Sequence, residues 1–308
     1  MVTQKVINLH INNNKHNMST QTANLPLEQQ MFLNPATGRM VNYKGAIYRG
    51  LIPSVSKRPN AEIEVDDTPI EVETVRMSDL SFDNNIFKPL KTGNKELDSF
   101  ISADGGFMPA TNIILIGTPG IGKSTVGLDF LVRAKSQGKK VLFISGEMQR
   151  IDMFRYCKRF PAFNDLDIFF VSDYIKTNPV KAIEKVLERG YDLVLMDSWA
   201  EVSRTVKDFS GMSASKSESW ILDLFEKHNE GRNDAKLYTA FLIIQQVTKS
   251  GEFVGSNRLK HMTTGMLEMY RDRAEGTNVM EFSKNRVGTA GERVNFNIHS
   301  TKVTYAKG

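Results

Sequence analysis

The chain has 308 residues, with 40 Lys and Arg against 35 Asp and Glu, a net charge of +5. At 40% apolar and 24% charged it can bury a full core, which excludes wholesale disorder, and its length excludes a disulfide-stapled miniprotein. The single cysteine, Cys157, can form neither an internal disulfide nor a cysteine-built metal site.

Residues 1–75 lack the recurring apolar pattern of a core, and the first 30 are rich in Asn, Gln, Lys and Thr. They read as a flexible extension. The polar N-terminus has no signal-peptide apolar region, and no apolar run reaches the roughly 18 to 20 residues that span a bilayer, so the expected place is the cytoplasm. Met18 is a candidate second start. Phe32 to Pro53, with Tyr43, Ile47, Tyr48 and Leu51, is more apolar and is a candidate partner-binding segment. The acidic run Glu62, Glu64, Asp66, Asp67, Glu71 and Glu73 reads as a solvated linker.

Residues 76–308 have a different texture. Short apolar runs, Ile113 to Ile116, Val141 to Ser145, Ile168 to Val171, Leu193 to Met196 and Ala240 to Ile244, alternate with helical stretches. The helical stretches are Lys123 to Gln137, Gln149 to Lys158, Pro179 to Arg189 and Glu218 to His228. Strands apolar throughout, interleaved with helices, predict an α/β domain around a mostly parallel sheet covered on both faces. Between Met266 and Ile298 shorter β-like pieces, Val279 to Phe282 and Val294 to Ile298, predict a C-terminal extension of the sheet by β-hairpins.

Directly after the first apolar run stands Gly117-Thr118-Pro119-Gly120-Ile121-Gly122-Lys123-Ser124-Thr125, a full G-x-x-x-x-G-K-[ST] string. A strand feeding a glycine-rich turn and then a helix aims backbone N–H groups and a helix N-terminus at one point, an anion site. In such a loop the lysine bridges the β and γ phosphates of a nucleotide, and Ser124 ligates Mg²⁺. The run ending in Asp197 supplies a carboxylate for the metal shell. Ser198 follows it, so the group that activates water must come from elsewhere. Glu147 qualifies, one glycine beyond the strand Val141 to Ser145 at the same sheet edge.

The ordered motifs resemble the RadA/Sms, DnaB and KaiC-like branch of the RecA-type ATPases over about residues 76–300. They are TGNKELD (Thr92 to Asp98) with Gly105-Gly106, GTPGIGKST, VLFISGEM, LVLMDS, IIQQVTKSGEFVGSNRLKHM and SKNRVG. The RadA ATPase core is the nearest likeness. The resemblance implies a RecA-like P-loop NTPase that uses ATP and Mg²⁺, with Glu147 as catalytic glutamate and Gln246 as the γ-phosphate sensor. It also implies that Lys284 and Arg286 enter the nucleotide site of a neighbouring subunit, so that a homo-oligomeric ring, a hexamer in this branch, is the active form. Two channel-facing loops would contact single-stranded DNA. The first, Ser203 to Ser219, carries Arg204, Lys207, Phe209 and Lys216; the second, Lys249 to His261, carries Lys249, Arg258 and Lys260. Cations on a flexible backbone suit phosphate tracking, and Phe209 could stack a base.

The chain departs from its likenesses too. One cysteine cannot build RadA's zinc module, and no residues remain for a Lon-like domain. This reads as a pared-down core, a form frequent in phages, which would place it in the host cytoplasm. The resulting expectation is a DNA-dependent ATPase and helicase acting in replication, recombination or repair, with replication or recombination proteins as further partners. The rivals are a filament-forming recombinase, a KaiC-like regulatory ATPase without a DNA role, and a nucleotide-binding assembly protein that no longer hydrolyses. No residue plainly reads the base or ribose. Trp199 and Trp220 read as packing residues, and His261 has no metal-ligand spacing.

Overall fold

The computed structural model describes residues 31–34, 39–42, 74–246 and 257–308. The expectations for Met18, Tyr43, Ile47, Tyr48, Leu51, the acidic run and Lys249 lie outside the described residues, as do those for the side chains of Arg258 and His261. The chain divides into two units, Met1–Arg76 and Met77–Gly308. Within the first, β1 (Met31–Asn34) and β2 (Arg39–Asn42) form an antiparallel hairpin.

The second unit is built on a nine-stranded sheet. Its elements, in chain order, begin with α1 (Lys95–Ile101), β3 (Asn112–Gly117), α2 (Lys123–Ser136), β4 (Val141–Ser145), α3 (Arg150–Arg159) and β5 (Ile168–Phe170). Then come α4 (Pro179–Glu188), β6 (Leu193–Asp197), α5 (Trp199–Ser210), α6 (Ala214–Asn229) and β7 (Ala240–Ile244). The last are α7 (Asn257–Met262), β8 (Gly265–Arg271), β9 (Asn278–Asn285), β10 (Arg293–Ile298) and β11 (Val303–Lys307). The spatial order is β11-β10-β9-β8-β3-β7-β6-β4-β5. From β8 to β5 every pair is parallel, and β8 to β11 form an antiparallel meander.

Side-chain alternation explains why the parallel strands read as continuous apolar runs. Ile113 and Leu115 point to one face and Ile114 and Ile116 to the other; Leu193 and Leu195 oppose Val194 and Met196 in the same way. One face is covered by α1 and α2 around Phe100, Phe130 and Phe143, and the other by α4, α5 and α6 around Trp199, Ile221 and Phe225. Both faces are therefore buried, as a parallel sheet requires. In β8 the burial alternates, which is the half-covered pattern of an antiparallel extension. The expected parallel core and its hairpin extension are both present.

The segment expected as the first DNA-facing loop is mostly helix. Trp199, Val202 and Val206 recur at helical spacing and are buried, so α5 runs to Ser210. Gly211, with φ of 71°, ends it; the Ser213 hydroxyl accepts from the Lys216 N–H and starts α6. Only three residues of the expected loop separate the helices. α1 and β11 were not separately legible, and they meet: the Lys307 N–H donates to Glu96 Oε2 at 3.1 Å.

His228, in the last turn of α6, is fully buried, and burial lowers its pKa from the ordinary 6.5. The folded protein therefore refuses a proton that the unfolded chain accepts. This contribution to stability is intact above pH 6.5 and is lost as pH falls below it. In urea unfolding at pH 7.5 and pH 5, His228→Leu should lose less stability than the parent; equal losses would mean that His228 does not carry this dependence.

Candidate functional site

β3 leads into the phosphate loop through Gly117, and the constraint there is steric. Its φ is +153°, and a Cβ would sit 2.3 Å from the Met269 carbonyl oxygen on β8. At Gly122, where the loop passes into α2, φ is +105° and a Cβ would meet Ile298 Cδ1 at 2.2 Å. Both glycines let backbone pass where a side chain cannot. Gly117→Ala must therefore push β3 from β8, at an expected cost of about 2 to 4 kcal/mol. Denaturant titration measures this, and a loss under about 1 kcal/mol would show that the sheet yields easily there.

α2 opens at Lys123, whose ammonium folds back over the loop and donates to the carbonyls of Gly117 at 2.6 Å and Thr118 at 3.2 Å. Burial lowers the Lys123 pKa, against the raising influence of Asp197 and Glu147. The next residue, Ser124, donates its hydroxyl to Asp197 Oδ2 at 2.6 Å. Asp197 is 3% exposed, and burial raises its pKa to about 6; the Ser124 hydrogen bond and the Lys123 charge oppose that rise, and Glu147 adds to it. The peptide bond from Asp197 to Ser198 is cis.

The Asp197 main-chain oxygen accepts from Gly146 N at 2.7 Å and from Glu147 N at 3.3 Å. The ends of β4 and β6 are thereby tied together, and the exposed Glu147 side chain lines one cleft with Lys123 and Asp197. Gln246, two residues past β7, also lines it. The cleft holds about 820 Å³, within the ordinary range for a small-molecule site.

Ser124 and Asp197 offer hard oxygen donors, which suit Mg²⁺. Among the described residues no group of three or more His, Cys, Asp or Glu could hold a metal alone, so an ion here would draw most of its shell from phosphate oxygens and water. The residues fit a magnesium–nucleotide complex better than a free ion.

Four residues of the cleft went unread in the sequence: Tyr156 and Arg159 on α3, Arg271 at the end of β8, and Asn278 at the start of β9. Arg159 donates to the carbonyls of His299 and Ser300, both at 3.4 Å, and Arg271 Nη1 donates to Asn278 Oδ1 at 3.4 Å. Two further cations at the rim favour an anionic ligand. Their motif-free positions gave no signal: the pairing of β3 with β8 and of β8 with β9 brings Arg271 and Asn278 to the phosphate loop, and Tyr156 and Arg159 come from the helix after β4.

Lys284 and Arg286 do not line the cleft of their own chain. The Lys284 ammonium donates to the carbonyls of Lys260 at 2.8 Å and Thr263 at 2.6 Å, which closes the C-terminal end of α7, and burial lowers its pKa. Arg286 is exposed at the end of β9. Arg204 pairs with Glu201 at 2.7 Å, Lys207 lies 3.8 Å from Asp208, Lys216 is exposed on α6, and Phe209 is exposed on α5. The structure thus gathers the phosphate loop, Glu147, Asp197 and Gln246, and leaves Arg204, Lys207, Phe209, Lys216 and Arg286 exposed and outside that cleft.

Known proteins resemble this chain in sequence and in fold. The family model described as ATPase: KaiC matches residues 90–172. DNA repair protein RadA of Mycobacterium tuberculosis is 26% identical over 218 residues, covering 70% of this chain and 43% of that protein. RadA of Aquifex aeolicus is 29% identical over 201 residues, covering 65% and 42%. The chain spans less than half the length of these curated relatives. Among solved structures, a KaiC-like protein of Pyrococcus horikoshii superposes with a TM-score of 0.54 at 17% identity, covering 71% of this chain and 98% of the other. The flagellar accessory protein FlaH of Methanocaldococcus jannaschii superposes with a TM-score of 0.52 at 14% identity over the same shares. The fold is RecA-like, and the chain is similar to RadA in sequence and to KaiC-like proteins in architecture. No described helix is long and apolar enough to cross a membrane.

Proposed function

We propose that this chain is a Mg²⁺-dependent ATPase that assembles into a ring and couples ATP hydrolysis to binding of, and movement along, single-stranded DNA in repair, recombination or replication. The observation that carries the ATPase reading is the joining, in one cleft, of a phosphate loop, a Ser124–Asp197 oxygen pair and Glu147 on the tied ends of β4 and β6.

The backbone N–H groups of Gly120 to Thr125 and the start of α2 would bind the phosphates, with Lys123 releasing its two carbonyl contacts to reach the β and γ oxygens. Mg²⁺, held by Ser124 and through the shell of Asp197, would supply charge neutralisation at those oxygens. Glu147 orients the attacking water in line with the γ-phosphorus, and Gln246 contacts the γ-phosphate. Arg286 serves the site of the neighbouring subunit. Lys284 joins it there by releasing its contacts to the Lys260 and Thr263 carbonyls. DNA contact is assigned to the Gly211 turn between α5 and α6, with Arg204, Lys207, Phe209 and Lys216 around it, and to the segment from Lys249 to Lys260 with Arg258. The similarity to RadA, a DNA repair protein, supports the DNA assignment.

Steady-state ATP hydrolysis at several protein concentrations, with and without single-stranded DNA and with Lys123→Ala as the blank, tests this reading. Turnover per chain that rises with concentration and is stimulated by DNA is expected. Turnover indifferent to DNA would favour the KaiC-like regulatory reading, for which the family match and the KaiC-like architecture speak.

A further inference from the structure

The stretch TGNKELD, Thr92 to Asp98, with Gly105-Gly106, does not line the ATP cleft, and neither does the turn that follows β9. The fold brings the two together across 184 residues. The first is locked by its own hydrogen bonds. Asp98 is 8% exposed; its Oδ1 accepts from the Thr92 N–H and from the Thr92 hydroxyl, both at 2.7 Å, and its main-chain oxygen accepts from Gly106 N at 2.7 Å. Gly106, with φ of 112°, passes so close to Leu90 that a Cβ would lie 2.5 Å from the Leu90 oxygen. With Phe100 and Ile101 buried in the core, the last turn of α1 is a fixed seat.

The turn after β9 rests on that seat. Asn285 Nδ2 donates to the Ile101 carbonyl at 3.0 Å, at a helix end where carbonyls have no partner within the helix, and Asn285 Oδ1 accepts from the Val287 N–H at 3.1 Å. One carboxamide therefore closes the turn on itself and fastens it to α1. The main chain is held on either side as well: Arg286 N donates to the Thr264 carbonyl at 3.0 Å, and the Val287 oxygen accepts from Ala103 N at 3.0 Å. Gly288 runs against the same seat, where a Cβ would sit 3.1 Å from Ser102 Cα. Arg286 stands exposed at the tip of this braced turn.

We propose that the end of α1 is the seat of Arg286 and that Asn285 is its positioning residue, setting where the arginine stands when it enters the nucleotide site of the adjacent subunit. This rests on the trans role given above to Arg286, and it gives TGNKELD a part in turnover. A guanidinium stabilises the transition state only where it meets the developing charge, and a displacement of about 1 Å can lower a rate about 10²-fold. On a loose turn a long side chain would have to be ordered at each turnover; a turn anchored beforehand removes that part of the cost. The position asks for one donor and one acceptor on a short stem. Aspartate would set a second oxygen against the Ile101 oxygen, and alanine would take the amide partner from both Ile101 and Val287.

Steady-state kinetics of the full chain with ATP, Mg²⁺ and single-stranded DNA test it. Asn285→Ala and Asn285→Asp should each lower kcat about 10- to 100-fold, with KM for ATP within about threefold and assembly by sedimentation velocity unchanged, because the chain's own phosphate loop is untouched. The defect should also sort by chain. Mixed with Lys123→Ala, which brings an intact turn and arginine, Asn285→Ala should regain turnover; mixed with Arg286→Ala, it should not. A residue that merely supports the fold would not discriminate between these partners. Turnover within about threefold of the parent, a rise in KM alone, or recovery with both partners or with neither would overturn the positioning role. With Arg286→Ala inactive, the trans reading would then still stand, whereas Arg286→Ala that turns over normally would remove that reading and this role with it. Gly288→Ala, whose Cβ would sit 2.7 Å from Asn285 Nδ2, wedges the same joint and should give the same pattern; if Asn285→Ala does not fold, Gly288→Ala decides.

Discussion

Glu147→Gln is expected to lower ATP turnover about 10³-fold while nucleotide affinity stays within about threefold. The substitution keeps the shape of the side chain and removes its capacity to accept a proton. The backbone at this position is fixed by main-chain hydrogen bonds from Gly146 and Glu147 to Asp197, so a glutamine should occupy the same place beside Lys123 and Asp197. A loss confined to turnover identifies Glu147 as the group that orients water; a loss in affinity alone would make it a binding residue. Turnover within tenfold of the parent would transfer the role to another group of the cleft, with Gln246 the first to examine.

Arg286→Ala is expected to cost a further large factor, about 10³ or more, again with binding spared, because a cation supplied by a neighbour acts on charge that develops only in the transition state. The structure makes the position testable in a particular way. Arg286 is absent from the cleft of its own chain, so Arg286→Ala leaves that chain's phosphate loop intact, and Lys123→Ala leaves its Arg286 intact. Mixing the two inactive variants should therefore recover measurable turnover at interfaces that combine a good loop with a good arginine. Mixtures that stay inactive, or an Arg286→Ala variant that turns over normally, would sink the assignment.

What was legible in the sequence follows from how local each cause is. The five strands β3 to β7 are apolar at both alternating positions and bounded by polar turns, so burial on two faces is written into each run. The phosphate loop was legible because its backbone needs glycine at fixed places, as the contacts at Gly117 and Gly122 show. The segment after Asp197 was misjudged. Its cations and small residues read as loop, although Trp199, Val202 and Val206 already mark a buried helical face. Lys284 took part in a motif, and nothing local shows that its ammonium closes α7. Arg159, Arg271 and Asn278 stand in no motif and reach the cleft only through tertiary pairing. The exposed apolar stretch before residue 90 was equally hidden, since apolar residues in a sequence do not announce that the core leaves them outside.

The sheet order has a consequence for how the protein is made. β3, which carries the phosphate loop, has as its two partners β7 and β8, and both emerge from the ribosome well over a hundred residues later. At about 5 to 20 residues per second, the strand NIILIG waits on the order of ten seconds without a hydrogen-bonding neighbour. Meanwhile β4, β5 and β6, which pair among themselves, can already form a nucleus with α4. The nascent chain should therefore gain protease resistance first around β4 to β6, and the nucleotide-binding strand should become protected only after them, once β7 has emerged.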